Sequence, residues 1–181
     1  MNYLCLSTSL DPGSRSRVMT RTAFEHLAQV NGAETTWLDL ADMDLPVCDG
    51  HAAWDNEHAK KLKLAVEKAD GLLIGYGIYN YGPSAIAKTV LELSGKSFSD
   101  KVVGFICAAG GPSSYMSAMS LANCLMLDFR SVIVPRFVYA TGDAFEDEKL
   151  TDEDTIARLG QLADDLTRMT TALRGTSVST S

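Results

Sequence analysis

The sequence predicts an α/β fold, a doubly wound sheet of five parallel strands in the order 2-1-3-4-5 with helices on both faces. Two observations predict it. Short apolar runs, which suit strands buried on both faces, alternate with segments whose apolar residues recur every three or four positions. This alternation occurs five times within 181 residues, which fits a single domain.

Five segments have the character of strands. Four are apolar runs that suit the interior of a sheet, and the other alternates apolar and polar residues as a strand nearer an edge does. In chain order the segments are Tyr3–Leu6, Glu34–Leu40, Gly71–Gly75, Val102–Cys107 and Val132–Val134. The alternating segment is the second of the five, so we expect it nearer an edge of the sheet.

Five further segments have the periodicity of amphipathic helices that bury one face. They are Met19–Val30, Leu62–Ala69, Ile86–Leu93, Met119–Met126 and Ile156–Leu173. The domain is therefore expected to comprise residues 1–174. The remaining segment, 175–181, is rich in serine and threonine and is predicted to be a flexible C-terminal tail.

Composition and charge exclude several classes of protein. With 46% apolar and 22% charged residues, the chain is neither disordered nor fibrous. The net charge of −7 is concentrated in segment 143–154, which carries seven acidic residues and one lysine. We interpret that segment as a solvated loop leading into the last helix. The rest of the chain is nearly neutral, which argues against a nucleic-acid partner.

The N-terminal residues and the cysteines indicate a cytoplasmic protein. Segment Met1–Leu6 lacks the basic region and cleavage site of a signal peptide, and no apolar run approaches the roughly 20 residues that cross a bilayer. We therefore expect no membrane partner. The four cysteines have no C-x-x-C spacing, so neither a disulfide framework nor a metal site is predicted.

The segment after the first predicted strand has the composition of a phosphate-binding loop. Residues Ser7–Arg17 include five hydroxyl side chains, two arginines and a Pro-Gly turn, and they lead into a helix. Amides at a helix start, hydroxyls and a guanidinium suit a phosphate group. The glycines and lysine of a nucleoside-triphosphate loop are absent. The alternative is an ordinary helix cap with solvated arginines.

Two further loops follow the third and fourth predicted strands. Residues Tyr76–Ser84 contain three tyrosines, two glycines and an asparagine, which suit a planar heterocycle, although packed aromatics at a turn are the alternative. Residues Ala108–Tyr115 contain adjacent glycines before a helix. All three loops follow the carboxyl ends of strands, where doubly wound sheets bind ligands.

These loops, in this order, resemble those of the NADPH-dependent FMN reductase family, which has a flavodoxin-like fold. The resemblance rests on Ser9 with Ser14–Ser16, on Tyr79–Asn80 with Lys88 beyond it, and on Gly110–Gly111. It covers about Leu4 to Pro135. The sequence departs from the family pattern at Gly77, where the family has proline, and at Asp11, where arginine is frequent. An acid near a phosphate is unfavourable, so Asp11 is expected to point away or Arg15 to take over.

The resemblance implies a flavodoxin-like doubly wound five-stranded parallel sheet that binds FMN. The FMN phosphate is expected at Ser9, Ser14, Arg15 and Ser16. The isoalloxazine is expected at Tyr79 and Asn80, with its pyrimidine edge on the amides near Gly110 and Gly111. The other expected contacts are Gly77, Ile78, Tyr81, Ala109 and Ser114.

The resemblance further implies an oxidoreductase that passes hydride from NADPH or NADH to FMN and then to a small-molecule acceptor such as free flavin or a quinone. The cofactor carries this chemistry, so no catalytic side chain is expected. Family members are usually homodimers or homotetramers. Two alternatives remain open, a flavodoxin-like electron carrier and a flavin-free scaffold that acts through protein contacts. Carriers have acidic flavin surroundings, whereas the acidic segment here follows the fifth strand.

Overall fold

The computed structural model describes residues 1–175, and the predicted doubly wound sheet is confirmed. The helices are α1 (Arg15–Leu27), α2 (Glu57–Lys68), α3 (Ala85–Ser94), α4 (Met119–Phe129) and α5 (Glu153–Gly175). The strands are β1 (Asn2–Ser7), β2 (Glu34–Asp39), β3 (Gly71–Tyr79), β4 (Gly82–Pro83), β5 (Val102–Ala108), β6 (Val132–Ile133), β7 (Val138–Ala140), β8 (Phe145–Glu146) and β9 (Lys149–Leu150). Of the predicted tail, Gly175 is the last residue of α5, and the rest lies outside the described residues.

The main sheet has the order β2-β1-β3-β5, and two short strands, β6 and β7, pair in parallel with β5 on its far side. Together β6 and β7 occupy the fifth position of the predicted order 2-1-3-4-5. The strand is interrupted near Pro135, which has no backbone N–H to donate to a neighbouring strand. As a result β6 and β7 lie beside opposite ends of β5.

The sheet buries both faces because successive strand residues point to opposite sides. On β1, Leu4 and Leu6 belong to the core beneath α2, α3 and α4. Their neighbours Tyr3 and Cys5 belong to the core beneath α1 and α5. The two cores flank one sheet, which is why its central strands are apolar throughout. Burial raises the pKa of the Cys5 thiol to about 12.

Helix α1 approaches the sheet very closely at one point. A Cβ on Gly75 of β3 would lie only 1.7 Å from the Thr20 hydroxyl oxygen, so this position requires glycine. The Thr20 hydroxyl donates to the Ser16 carbonyl at 2.7 Å and is completely buried. The close approach at Gly75 fixes the first turns of α1 against the middle of β3.

Strand β3 continues four residues beyond its predicted end at Gly75. It then turns back on itself, and Tyr79 pairs antiparallel with Gly82 of β4. The two turn residues, Asn80 and Tyr81, have φ values of 50° and 64°. Left-handed conformations at both positions are typical of the two-residue turns that join paired strands. Much of the loop expected after this strand is therefore a β-hairpin.

The acidic segment also differs from the solvated loop that the sequence predicts. Strands β8 and β9 form a small antiparallel hairpin. Its turn consists of Asp147 and Glu148, which have φ values of 46° and 65°. The base of the hairpin is closed by the Thr151 amide, which donates to the Ala144 carbonyl at 3.0 Å. The Phe145 ring packs against the core beneath α1 and α5, which holds the hairpin to the domain.

Within residues 1–175, the structure contains no helix that has both the length and the apolar character needed to cross a membrane.

Candidate functional site

A cleft of about 350 Å³ opens at the carboxyl ends of β1, β3 and β5. This volume lies within the range of small-molecule sites in proteins. The position is the one where the order of a doubly wound sheet reverses, which is where such folds bind ligands. The cleft is lined by Ser9, Asp11, Gly13, Ser14, Arg15, Ser16, Gly77, Ile78, Tyr79, Ala108, Ala109, Gly110 and Glu148.

One wall of the cleft is the β1–α1 loop, residues 8–14, together with the first turn of α1. Ser14 caps the helix, and its hydroxyl oxygen accepts a hydrogen bond from the Arg17 amide at 3.1 Å. The Ser14 and Ser16 hydroxyls are hydrogen-bonded to each other at 3.0 Å. The first turn of α1 has no acidic residue, so its amides and the positive end of the helix dipole favour an anion.

Arg17 holds this loop in place and is turned away from the cleft. Its Nε lies 2.6 Å from a carboxylate oxygen of Asp39, at the end of β2. The other guanidinium nitrogens donate to the carbonyls of Ser9 at 2.7 Å, Asp11 at 2.5 Å and Pro12 at 3.2 Å. Four acceptors therefore occupy one guanidinium, which fixes the backbone of the loop.

Arg15 has the opposite role and faces the cleft. Its guanidinium makes no hydrogen bond or ion pair with any residue of the described chain. It lies 5.5 Å from the centre of the Phe145 ring in β8. A Cβ on Gly142 would approach its Nη1 to 3.0 Å, so that glycine leaves room for the side chain. Arg15 is thus an unpaired cation on the wall that carries the helix N-terminus.

Two carboxylates also face this wall. Of the two expected arrangements, Asp11 pointing away or Arg15 taking over, the first does not occur: Asp11 lines the cleft as Arg15 does, and its Oδ1 accepts from the Gly13 amide at 3.1 Å. Glu148 comes from the β8–β9 hairpin, and its Oε1 would lie 3.2 Å from a Cβ on Gly13. The acidic segment therefore reaches the site, because the carboxyl end of β7 lies at the same sheet edge as that of β1. From the sequence alone, the acidic segment was expected to lie apart from the site.

The second wall is the end of β3. Gly77, Ile78 and Tyr79 line the cleft, whereas Asn80 and Tyr81 form the hairpin tip beyond it. The Tyr79 ring lies over Gly77, where a Cβ would approach the ring to 3.1 Å. Tyr79 and Tyr81 are each 61% exposed, which is high for aromatic side chains.

A smaller cavity of about 260 Å³ adjoins this wall and shares Ser9, Asp11, Gly77 and Tyr79 with the cleft. Ser84 also lines the smaller cavity, and its hydroxyl is buried. That hydroxyl has no hydrogen-bond partner among residues 1–175. Such a buried hydroxyl costs free energy until a partner satisfies it.

The floor of the cleft is the end of β5, where Ala108, Ala109 and Gly110 line it. Gly110 has open space at its Cβ position. Gly111 and Ser114 are not part of this lining, and both are engaged by Tyr139 of β7. The Tyr139 hydroxyl donates to the Gly111 carbonyl and lies 2.9 Å from the Ser114 hydroxyl.

The structure thus brings together nine of the thirteen residues that the resemblance implies. They are Ser9, Ser14, Arg15, Ser16, Gly77, Ile78, Tyr79, Ala109 and Gly110. The other four, Asn80, Tyr81, Gly111 and Ser114, lie outside the lining. Four lining residues were not among those predicted: Asp11, Gly13, Ala108 and Glu148. Sequence reasoning also missed the support from Tyr139. The acidic run was the only sequence feature that pointed to Glu148, and no feature of the sequence around Tyr139 indicated its role.

The titratable groups beneath the floor are held in their neutral forms. Burial raises the pKa of the Cys107 thiol to about 12 and also raises the pKa of the Tyr76 hydroxyl. Among the described residues, no three histidine, cysteine or acidic side chains are grouped so as to hold a metal ion. The cleft offers hydroxyls, backbone amides and one guanidinium, which bind and orient an anion, together with the carboxylates of Asp11 and Glu148, which repel one.

Residues 1–146 match the model of the NADPH-dependent FMN reductase family. An NADPH azoreductase of Bacillus sp. (strain OY1-2) is 29% identical over 117 residues. That alignment covers 64% of this chain and 66% of the azoreductase, just under two thirds of its length.

Two solved structures have the same fold at low identity. RosB, solved with 8-demethyl-8-formylriboflavin-5'-phosphate bound, has a TM-score of 0.80 at 18% identity, covering 99% of this chain and 82% of RosB. FerB of Paracoccus denitrificans, a flavoenzyme NAD(P)H:(acceptor) oxidoreductase, has a TM-score of 0.73 at 19% identity, covering 94% of this chain and 97% of FerB.

Proposed function

The chain belongs to the NADPH-dependent FMN reductase family, and on this premise we propose that it is an NAD(P)H-dependent oxidoreductase with FMN in the cleft described above. One observation carries the proposal. The unpaired Arg15 guanidinium, the N-terminus of α1 and the hydroxyls of Ser9 and Ser14 converge on one wall of a cleft that opens where doubly wound sheets bind ligands. All of these groups lie in the segment that matches the family.

The donor set fits a flavin phosphate. Ser9 and Ser16 add hydroxyls to the free amides of the first turn of α1, and Arg15 adds a cation with a planar fork of donors. Gly110 leaves open space in which a flat ring can approach the backbone. The unpartnered Ser84 hydroxyl marks a further polar group beside the cleft for a bound ligand to satisfy.

When bound, FMN supplies hydride acceptance from the nicotinamide and onward electron transfer. The chain's own residues bind and orient. Arg15 and the serines would hold the phosphate end, whereas the Tyr79 ring and the end of β5 would confine the flat end. Amides near Gly110 would stabilise negative charge at the edge of the ring. No side-chain acid or base is required of the cleft.

We propose NADPH or NADH as donor and a planar aromatic compound, such as a quinone or free flavin, as acceptor. The exposed rings of Tyr79 and Tyr81 support this choice because they present flat apolar faces beside the cleft. The four free thiols support a reducing compartment, the cytoplasm. The azo compounds implied by the Bacillus relative's name belong to the same class of planar acceptors.

We further propose that the working form is a homodimer. Large apolar side chains are exposed along α4 and along the short 3-10 helix before it, Pro112–Ala118, and monomeric proteins seldom expose so many together. They are Tyr115, Met116, Met119, Met126 and Leu127, with exposed fractions between 39% and 77%. Light scattering on the purified protein tests this: Met126→Lys with Leu127→Lys is expected to give monomers, and a monomeric unmodified protein would refute it.

The function is tested by the visible spectrum of the purified protein after FMN addition and desalting, followed by anaerobic NADPH or NADH. Retained flavin that bleaches with either nucleotide supports the proposal. Retained flavin that neither nucleotide bleaches would indicate an electron carrier instead. Absence of both flavin retention and FMN-dependent NAD(P)H oxidation would indicate a flavin-free scaffold.

A further inference from the structure

The acidic hairpin and the β1–α1 loop meet at a glycine. Gly13 has no side chain, and the Glu148 carboxylate occupies the space beside it, 3.2 Å from where a Cβ would stand. Glu148 is one of the two turn residues of the hairpin, and it is the only one of the pair that lines the cleft. Its carboxylate makes no hydrogen bond or ion pair with any residue of segment 1–175.

The side chains at the wall formed by the β1–α1 loop carry more negative than positive charge toward the cleft, which disfavours an anion. Two arginines begin α1, but Arg17 is committed to Asp39 and to three loop carbonyls. Arg15 is therefore the one guanidinium of the pair that faces the cleft, opposite the carboxylates of Asp11 and Glu148. A phosphate monoester adds close to two negative charges at neutral pH. Bound there, it meets one cation and two like charges.

The two carboxylates differ in what they do for the fold. Asp11 accepts from the Gly13 amide and so shapes the turn of the loop. Glu148 has no such partner, and its hairpin is held instead by the Phe145 ring and by the hydrogen bond between Thr151 and Ala144. The hairpin thus places a carboxylate beside the anion-binding wall without needing that carboxylate for its own stability.

We propose that Glu148 is a specificity-determining residue that weakens the binding of phosphorylated flavin relative to unphosphorylated flavin. The proposal rests on the function proposed above, since it concerns the same cleft. Repulsion between the Glu148 carboxylate and the phosphate offsets part of the attraction by Arg15 and the N-terminus of α1. FMN then exchanges readily, and riboflavin, which has no phosphate, is not penalised.

The test is direct binding, with no reducing nucleotide present. Dissociation constants for FMN and riboflavin are measured by quenching of flavin fluorescence in the unmodified protein and in Glu148→Gln. The amide keeps the size and the turn conformation but removes the charge. FMN is expected to bind about tenfold more tightly to the variant, and riboflavin within about twofold of its original affinity. Added salt should shrink the gain for FMN.

The matched control is Glu146→Gln, which removes the same charge from the same hairpin at a residue that does not line the cleft. It should leave both affinities unchanged within about twofold. Unchanged or weaker FMN binding in Glu148→Gln would overturn the inference, as would an equal gain for riboflavin. If the unmodified protein binds neither flavin, the proposed function is itself wrong.

Discussion

The two walls of the cleft are built in opposite ways. The β1–α1 loop is held by Arg17, by the Ser14 cap and by the Asp11 turn, so most of its polar groups are already satisfied. The β3–β4 hairpin presents Tyr79 and Tyr81, each 61% exposed, and neither side chain makes a hydrogen bond to the opposite wall within residues 1–175. The first wall is held rigid by contacts within the protein, whereas the second presents exposed aromatic rings that a ligand could cover.

This difference indicates how binding energy is divided. A prearranged wall loses little entropy when an anion binds, so it sets affinity and orientation. Exposed aromatic rings gain most when something flat covers them, so the second wall sets which planar molecules are accepted. Substitutions on the two walls should therefore produce different signatures.

The largest effect is expected for Arg17→Ala. The change frees four acceptors and leaves the Asp39 carboxylate without its partner, so the loop loses its shape. A flavin titration should show FMN affinity falling about 100-fold. Urea denaturation should show the free energy of unfolding falling by about 2 kcal/mol. The control is Arg21→Ala. Arg21 lies on the same helix as Arg17, and its guanidinium stacks 3.7 Å from the centre of the Trp37 ring in β2. Equal losses of FMN affinity in both variants would contradict the role assigned to Arg17.

Arg15→Gln should act far more on binding than on the fold, because the guanidinium makes no hydrogen bond or ion pair within residues 1–175 and contacts the Phe145 ring only at 5.5 Å. Loss of charge-assisted hydrogen bonds predicts a fall of about 30-fold in FMN affinity with riboflavin binding retained. Parallel titrations with the two flavins measure this directly. An equal loss for both would place Arg15 away from the phosphate.

Gly110→Ala and Gly111→Ala form a matched pair on the floor. Both glycines have open space at the Cβ position, so neither change should lower the melting temperature noticeably. Gly110 lines the cleft and Gly111 does not. A methyl group at Gly110 is expected to lower flavin affinity about tenfold, and one at Gly111 to leave it nearly unchanged. Equal losses would show that Gly111 also faces the ligand.

The smallest effects belong to the hairpin tip. Tyr79→Ala should lower flavin affinity about fivefold through lost contact with the ring, whereas Tyr81→Ala should leave it unchanged. Because both side chains are largely exposed, the unfolding free energy should change by no more than about 0.5 kcal/mol. Thermal melts and flavin titrations on both variants provide the measurement, and a large loss of stability in either would mean that the tip is structural.

The sheet could be predicted because its signals are local. Apolar runs such as Gly71–Gly75 and the helical repeats between them determine strand order once the chain is wound in the usual hand. The predicted strand order also places Ser9, Arg15 and Gly110 together, at the carboxyl edge of the sheet.

The two hairpins could not be predicted in the same way. Turns of this kind are signalled most strongly by glycine after asparagine or aspartate, whereas here Asn80 is followed by tyrosine and Asp147 by glutamate. The position of Glu148 beside Gly13 depends on how two distant loops pack, which no local pattern encodes.

The interruption of the fifth strand at Pro135 also affects how the folded chain avoids aggregation. An unbroken edge strand presents a row of free amides and carbonyls to which another chain can add. Here that edge consists of a two-residue and a three-residue piece separated by a residue without an amide donor. Sheet growth from this side is therefore hindered by the backbone itself, whereas the opposite edge, the six-residue strand β2, has no such interruption.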